Sequence, residues 1–290
     1  MRIVIGALLV AVAECSSIFS KFKKKNTLCK GDVRLKTEAD VRAIQHCTKI
    51  EGNLFVNFSY NGAIKLPELI EITGKFEAHK VDGLTAVELP ILKSIGDICI
   101  RACKNYKGPI SLPGLVEVNG GFYASRVDGL TAVELPILKS IGGCFYIGDC
   151  QNYKGPISLP GLVEVNGDFF ASRVDGLTAV ELPILKSIGG YFCIAACKDL
   201  QTIAFPFLQT IDEKCEISKN SNLKKIEMSD LTTISGTCII YRNKELAEIY
   251  MPKIKADALQ LSKKSSRVQI ESLLQKAIET QKTGTIFNIN

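Results

Sequence analysis

One block of sixteen residues occurs three times without a change, and this repetition limits the folds open to the chain. VDGLTAVELPILKSIG occupies residues 81–96, 127–142 and 174–189, so successive copies are 46 and then 47 residues apart. Leu-Pro steps and their equivalents divide these intervals again into coils of 23 residues, with a single coil of 24. The coils begin at Leu66, Leu89, Leu112, Leu135, Leu159, Leu182, Phe205, Met228 and Met251. A fixed period of this length is typical of a protein whose units stack in one direction.

The pattern within a coil predicts β-strands. In the coil at residues 112–134, Phe122 and Ala124 alternate with Tyr123 and Ser125, which is the period of a strand with one buried face. Glycine and proline punctuate the corners, and most coils lack a stretch with helical periodicity. Because one coil is unable to bury both of its sides, neighbouring coils must stack around a shared apolar interior. The sequence therefore predicts a parallel β-solenoid with layers about 4.8 Å apart.

The chain is expected to contain five segments. They are a signal peptide (1–13), a basic linker (14–28), an N-terminal cap with the first coil (29–65), the solenoid (66–264), and a C-terminal capping helix with a tail (265–290). Arg2 followed by an apolar run that ends in Ala-Val-Ala is typical of a secretory signal peptide. That run is far shorter than the roughly 20 residues that span a bilayer, and the C-terminal TGTIFNIN lacks the long apolar tail of a lipid-anchor signal. We therefore expect an exported chain without a transmembrane segment.

Both ends of the stack need caps, because terminal coils would otherwise expose apolar faces and open strand edges. At the front, residues 37–40 (TEAD) resemble a capping box, with aspartate in place of the usual glutamate, and open a short helix. At the back, residues 267–282 carry apolar side chains at helical spacing: Ile270, Leu273, Leu274, Ala277 and Ile278. We expect an amphipathic helix that closes the stack there, and a helix on a membrane surface is the alternative.

Eleven cysteines follow the expected cleavage point, and an odd number is unable to pair completely within one chain. Disulfides are permitted in the oxidising compartment that export implies. Cys29 and Cys47 flank the front helix, and we expect a disulfide between them that is worth roughly 3 kcal/mol. Cys15 precedes the coils, so it is the natural unpaired cysteine, available for bonding to another molecule.

Other cysteines recur at fixed coil positions. Cys103, Cys150 and Cys197 take one inward corner of alternate coils, about 10 Å apart, which is too far for a bond between them. We expect them to be buried thiols, although local pairs remain open: Cys99 with Cys103, Cys144 with Cys150, and Cys193 with Cys197. Cys215 and Cys238 share another inward position in adjacent coils, either as neighbouring thiols or as a disulfide.

Residues 29–56, CKGDVRLKTEADVRAIQHCTKIEGNLFV, resemble the opening of a receptor L domain, most closely that of fungal cell-wall and sporulation surface proteins. The LPxLxxIxGxF coils extend this resemblance over about residues 29–260. The spacing of Ile95, Ile98, Ile100 and Cys103 is similar to that of leucine-rich repeats. Residues 187–206 are similar to the BspA-type repeats of surface proteins. These resemblances imply a right-handed solenoid, capped by short helices, in an exported protein with a role at a cell surface or wall.

A ligand is expected on the outward face of the main sheet. Tyr123, Tyr146 and Phe170 share one outward position in three consecutive coils and predict an aromatic ladder about 10 Å long. Such a row suits protein partners or the flat faces of sugar rings. Cross-strand packing that merely stabilises the sheet is the alternative. The sequence Asn57-Phe58-Ser59 is a glycosylation acceptor on the exposed side of the first coil.

Several classes of function find no support in the sequence. His46 and His79 are the two histidines and are not spaced as a ligand pair, so we expect no metal and no other cofactor. Asp82, Asp128 and Asp175 recur in identical turns, which copies the carboxylates along the rod instead of creating one catalytic site. A net charge of +6, with a short lysine cluster in the linker, together with export, argues against nucleic acid as a partner.

We therefore expect a non-catalytic protein, secreted and retained at the cell surface or wall. Its expected partners are surface or wall proteins or polysaccharides, bound by the repetitive sheet face, where equivalent layers add avidity to weak contacts. A purely structural coat or wall component is the second hypothesis, and a carbohydrate-active enzyme is the third. Self-association of the rods remains open.

Overall fold

The structure is a computed structural model and describes residues 27–254. Within this range the chain is a parallel β-solenoid of about ten turns, as the repeats predict. The proposed signal peptide (1–13), most of the linker (14–28) and the C-terminal helix and tail (265–290) lie outside the described residues. No helix among residues 27–254 is long and apolar enough to cross a bilayer.

The main sheet contains ten strands, and its inward side chains fill the core while the outward ones form the candidate binding face. Its strands are Val33–Leu35, Leu54–Val56, Phe76–His79, Ile98–Arg101, Phe122–Ser125, Phe145–Cys150, Phe169–Val174, Phe192–Ala195, Cys215–Ser218 and Cys238–Tyr241. Neighbours pair in register, so Phe122 lies opposite Phe145 and Phe145 lies opposite Phe169. Equivalent residues of successive coils therefore lie directly beside each other in the sheet.

A second sheet, here called the narrow sheet, also has ten strands, most of them only two residues long. They are Leu28–Lys30, Lys49–Glu51, Glu71–Ile72, Ser94–Ile95, Glu117–Val118, Ser140–Ile141, Glu164–Val165, Ser187–Ile188, Thr210–Ile211 and Thr233–Ile234. The stacking begins at Leu28, so the segment 29–65 contributes two layers to these sheets as well as the cap.

The third face is divided into two sheets. The first contains Asn61–Lys65, Gly83–Glu88, Gly108–Ser111 and Leu130–Glu134, and the second contains Gly155–Ser158, Leu177–Glu181, Thr202–Ala204, Lys225–Glu227 and Glu248–Tyr250. Proline has no N–H to donate to a neighbouring strand. Pro156 lies where the ladder divides, and Pro109 lies where pairing with the preceding strand is reduced to Ser111 and Glu88. These prolines therefore account for the interruptions.

The front cap has the predicted architecture. One helix, Glu38–Ile44, begins after Thr37, and Asp40 Oδ2 accepts hydrogen bonds of 2.8 Å from the backbone N–H groups of Lys36 and Thr37. Cys29 and Cys47 form the expected disulfide, with their Cα atoms 5.9 Å apart. The disulfide thus ties the first strand of the narrow sheet to the end of the helix.

A column of phenylalanines crosses the central coils of the core. Ring centroids are 5.3 Å apart for Phe122 and Phe145, 4.9 Å for Phe145 and Phe169, and 5.8 Å for Phe169 and Phe192. All four side chains are completely buried, together with the leucine and isoleucine positions of the repeat. The repeated apolar residues therefore form one continuous interior, and the coils are not separate units.

The corner after the main sheet depends on inward cysteine and asparagine side chains. Cys103 Sγ lies 3.6 Å from the carbonyl oxygen of Ala78 in the preceding coil, and Asn220 Nδ2 donates to Ile194 O at 3.0 Å. Cys103, Cys150 and Cys197 are free and fully buried, which confirms the prediction of buried thiols. The local pairs do not form, because the first cysteine of each points outward and the second points inward. Cys215 and Cys238 are neighbouring free thiols.

The residue just before this inward corner is left-handed in eight consecutive coils. These non-glycine residues have φ between 51° and 58°: Lys80, Ala102, Arg126, Asp149, Arg173, Ala196, Lys219 and Arg242. A left-handed conformation costs an ordinary residue about 1–2 kcal/mol. The stack imposes this conformation at every turn, because the next side chain must point into the core.

Candidate binding face

The three aromatic residues predicted to form a ladder lie side by side on the main sheet. Tyr123 pairs in register with Tyr146, and Tyr146 pairs with Phe170. All three are half-buried, and the rings of Tyr146 and Phe170 have centroids 5.9 Å apart at an angle of 42°. The row therefore exists on the outward face as three partly exposed side chains, of which Tyr146 and Phe170 contact each other.

Two glycines allow the tyrosine rings to lie against the sheet. A Cβ atom at Gly121 would overlap the ring of Tyr123, and one at Gly148 would lie 2.9 Å from the hydroxyl of Tyr146. Both glycines are buried although they occupy outward positions, because the rings cover them. The tyrosine rings consequently lie against these glycines and remain partly exposed to solvent.

A fourth aromatic residue, Tyr191, continues the row and was missed by the sequence analysis. Its ring meets that of Phe170 edge-on, with centroids 5.0 Å apart at 90°. The corresponding positions in earlier coils hold small or polar residues, so no repeat consensus marks this site. The alternation Tyr191-Phe192-Cys193, with Phe192 inward, was the available signal.

A carboxylate ends the row on its C-terminal side. Glu216 accepts hydrogen bonds from the Tyr191 hydroxyl (2.6 Å), Lys214 Nζ (2.8 Å), Ser218 Oγ (3.0 Å) and the Tyr241 hydroxyl (3.3 Å). Burial by itself raises the pKa of Glu216, but the hydrogen bonds from Lys214, Tyr191 and Ser218 outweigh it and bring the pKa to about 2. Glu216 is thus a charged hydrogen-bond acceptor that holds the Tyr191 side chain in place.

The N-terminal side of the row carries cations above aromatic rings. The guanidinium of Arg101 lies 4.7 Å from the centroid of Tyr123, and that of Arg34 lies 4.6 Å from the centroid of Phe55. Such contacts hold a cation in place without removing its hydrogen-bond donors from solvent. The face therefore combines fixed positive groups at one end with aromatic rings at its centre.

The glycosylation acceptor lies beside a hollow on the same face. Asn57 Oδ1 accepts hydrogen bonds from Ser59 N (3.0 Å) and Ser59 Oγ (2.8 Å), which forms a tight turn. Phe58, at the tip of this turn, is 75% exposed. The hollow, about 320 Å³ in volume, lies between this turn and the adjoining strands of the main sheet. Asn57 is thus on the surface, as predicted, and its glycosylation stays a prediction.

Two thiols of this face, Cys99 and Cys193, are not activated. Burial raises the pKa of Cys99, and it raises that of Cys193, which is covered by its neighbours although its position is outward. A raised pKa keeps a thiol protonated and therefore poorly nucleophilic. These residues contribute packing, and we assign them no chemistry.

The acidic residues of the repeated turns remain apart from one another. Asp82 pairs with Lys104 of the next coil at 3.1 Å, and Asp175 pairs with Lys198 at 3.3 Å. Such exposed pairs are typically worth less than about 1 kcal/mol. Two of the three repeated turns therefore pair their aspartate with a lysine of the next coil, and at the third Asn152 donates to the backbone oxygen of Asp128.

Within residues 27–254, one group of three side chains is close enough together to hold a metal ion, and it consists of the two disulfide-bonded cysteines and His46. The ligand atoms of Cys29, His46 and Cys47 lie within 4.8 Å of one another. Both cysteines are bonded to each other, so neither is available as a thiolate ligand in this structure.

Comparison of the chain with models of protein families, with curated proteins and with solved structures gives no significant match. The assignment of function therefore depends on the geometry of this face.

Proposed function

We propose that the chain is an exported protein, retained at the cell surface or wall, that binds protein or polysaccharide partners through the outward face of the main sheet. It acts without catalysis in this proposal. We also propose that the chain is related to receptor L domains, as the sequence resemblance implies.

The observation that carries the proposal is where the repeated cassettes differ. Besides the sixteen-residue block, residues 105–120 and 152–167 are also identical, so two of the three faces are copied letter for letter. The differences between residues 81–126 and 127–173 fall in the main-sheet strands and the turns that adjoin them. Duplication alone would copy all three faces equally. Between these two cassettes the differences are mostly at outward positions, with Ile98 and Phe145 as an inward exception. This is what a partner-binding surface on a constant scaffold would produce.

The chemistry of the face supports the same conclusion. Aromatic and arginine side chains that are partly exposed, as on this face, are enriched where proteins bind partners. Tyr146 and Phe170 lie at the centre of the row, so they are the residues expected to contribute most.

The proposal is tested by retention of the purified chain on surface extracts, in buffers with and without reductant. The double variant Tyr146→Ala/Phe170→Ala should lose retention, while its free energy of unfolding falls by no more than about 1–2 kcal/mol. The matched control is Ile137→Ala/Ile184→Ala, which truncates two exposed apolar residues of the identical blocks. Undiminished retention of the aromatic variant would refute a role for the row.

One observation favours the structural alternative. Tyr146, Phe170 and Tyr191 contact each other, and cross-strand contacts of this kind stabilise a sheet without any ligand. If the chain is a purely structural coat or wall component, the aromatic variant should lose stability but stay associated with the surface. It also predicts that extraction requires a reductant, through Cys15, which lies outside the described residues.

A further inference from the structure

The hollow beside Asn57 is a concave site on the main-sheet face that is lined by both polar and aromatic side chains. It lies on the outward side of the strands that carry Phe55 and Glu77, with Phe58 at its rim. Its volume of about 320 Å³ is at the lower end of the roughly 300–1,000 Å³ typical of small-ligand sites. It therefore has room for one ring-sized group and not for an extended chain.

The hollow has donors and an acceptor whose positions are fixed in advance. The Arg34 guanidinium is held over the ring of Phe55, and Glu77 is held by Lys75, whose Nζ lies 2.5 Å from Oε2. Among residues 27–254, neither the Arg34 guanidinium nor the imidazole of His79 has a hydrogen-bond partner, and the second oxygen of Glu77 is also without one. Fixed groups lose little conformational freedom when they bind a ligand, which favours affinity.

The turn at the rim completes the site. Because Oδ1 of Asn57 already accepts two hydrogen bonds from Ser59, its Nδ2 is the group left for a ligand in the unglycosylated chain. The same atom would carry the predicted glycan. The ring of Phe58 is largely exposed and next to this amide, whereas the ring of Phe55 is covered by cations. One open aromatic surface thus stands beside groups that donate and accept hydrogen bonds.

We propose that this hollow binds a single neutral sugar ring, with the ring's C–H face on Phe58 and its hydroxyl groups bonded to Glu77, Arg34 and Asn57. A hydroxyl group both donates and accepts, so a sugar satisfies a carboxylate and a guanidinium in the same site. The second oxygen of Glu77 needs a hydrogen-bond donor, which an anionic ligand does not offer, and an apolar side chain would leave these polar groups unpaired. The occupant that meets all the constraints is a neutral polyol ring with an apolar face.

The hollow and the aromatic row are separate sites on the main sheet. Glu77 is separated from Tyr123 by one intervening coil, so the two sites lie about 10 Å apart along the sheet. Neither Tyr146 nor Phe170 lines the hollow. Failure of the retention experiment and failure of the sugar experiment are consequently separate results.

The test is saturation-transfer NMR on the chain produced in a host that attaches no N-linked glycans, with methyl glycosides of hexoses and N-acetylhexosamines as probes. At least one probe should receive saturation at its ring protons. Phe58→Ala and Glu77→Gln should each weaken its binding about tenfold, the loss expected for one stacking contact or one charged hydrogen bond. Phe207→Ala, which truncates another exposed phenylalanine at a different corner, should leave binding unchanged.

Three results would overturn the proposal. They are the absence of saturation transfer to every glycoside, equal binding by Phe58→Ala and the unaltered chain, and displacement of the sugar by acetate at low ionic strength, which would indicate an anion site. Circular dichroism of both hollow variants checks that the solenoid remains folded, since Phe58 and Glu77 lie outside the core.

Discussion

Removal of residues 127–173 tests whether the cassettes are interchangeable layers. The deletion joins Arg126 to Val174, and the sequence that follows Val174 repeats the one that follows Val127 for sixteen residues. The left-handed corner at residue 126 and the inward valine after it are both preserved, because Arg173 has the same conformation as Arg126. We expect the shortened chain to fold.

The size of the effect follows from the loss of two layers out of ten. The rod should shorten by about 10 Å, since parallel strands are about 4.8 Å apart. The dependence of the unfolding free energy on urea should fall by about a fifth, in proportion to the surface buried. The unfolding free energy itself should fall by roughly 2–7 kcal/mol, at about 0.05–0.15 kcal/mol for each residue removed.

Small-angle X-ray scattering measures the length, and urea unfolding followed by circular dichroism measures the stability. The matched control removes residues 127–161, which is about one and a half coils and joins Arg126 to Leu162 out of register. That chain should aggregate or unfold, because inward and outward positions no longer align. A misfolded 127–173 deletion, or two unfolding transitions in the full chain, would refute the account of a single stack.

Three further predictions concern stability, each measured by urea unfolding. Ala196→Gly should stabilise the chain by about 0.5–1 kcal/mol, because glycine adopts the left-handed conformation of residue 196 without strain, and a loss of stability would contradict this. Because the pKa of Glu216 is lowered, its carboxylate should stabilise the fold by about 1–2 kcal/mol above about pH 4.5, discounted for partial exposure, and this stability should be lost as the pH falls towards about 2. Glu216→Gln should remove this pH dependence, and an unchanged profile would exclude the assignment. Cys29→Ser with Cys47→Ser should cost roughly 3 kcal/mol, whereas a negligible cost would show that the front cap holds without the disulfide.

The fold was predictable because the repeat is long and its inward positions are consistent. Phe122 and Ala124 alternate with outward residues in one coil, and the same alternation appears at Phe145 and Ile147 in the next. Local pattern and long-range repetition thus indicate the same strand, which removes the ambiguity of a short apolar run. The front cap was predictable for a local reason, since the capping box and the flanking cysteines are close in sequence.

The left-handed corners were not predictable from the residues that occupy them. Lys80 and Arg126 have none of the sequence signals of that conformation, which usually involves glycine or asparagine. The conformation is imposed by the stack, which must turn the following side chain inward. Tyr191 was missed for a related reason: its outward position is common to all coils, but only tertiary contacts with Phe170 and Glu216 make it part of the row.

The pattern of identity among the cassettes explains why an unchanged block is compatible with a specialised surface. Substitutions in the narrow sheet or the third face would have to suit the layers above and below, since each coil packs on two neighbours. An outward residue of the main sheet, such as Tyr146, meets solvent on one side and is therefore free to change. Cys99, Tyr146 and Cys193 occupy one outward position in successive cassettes, so the same backbone position holds cysteine twice and tyrosine once. The copied blocks keep the scaffold constant, and an outward residue of the main sheet is able to change with little disturbance of the core.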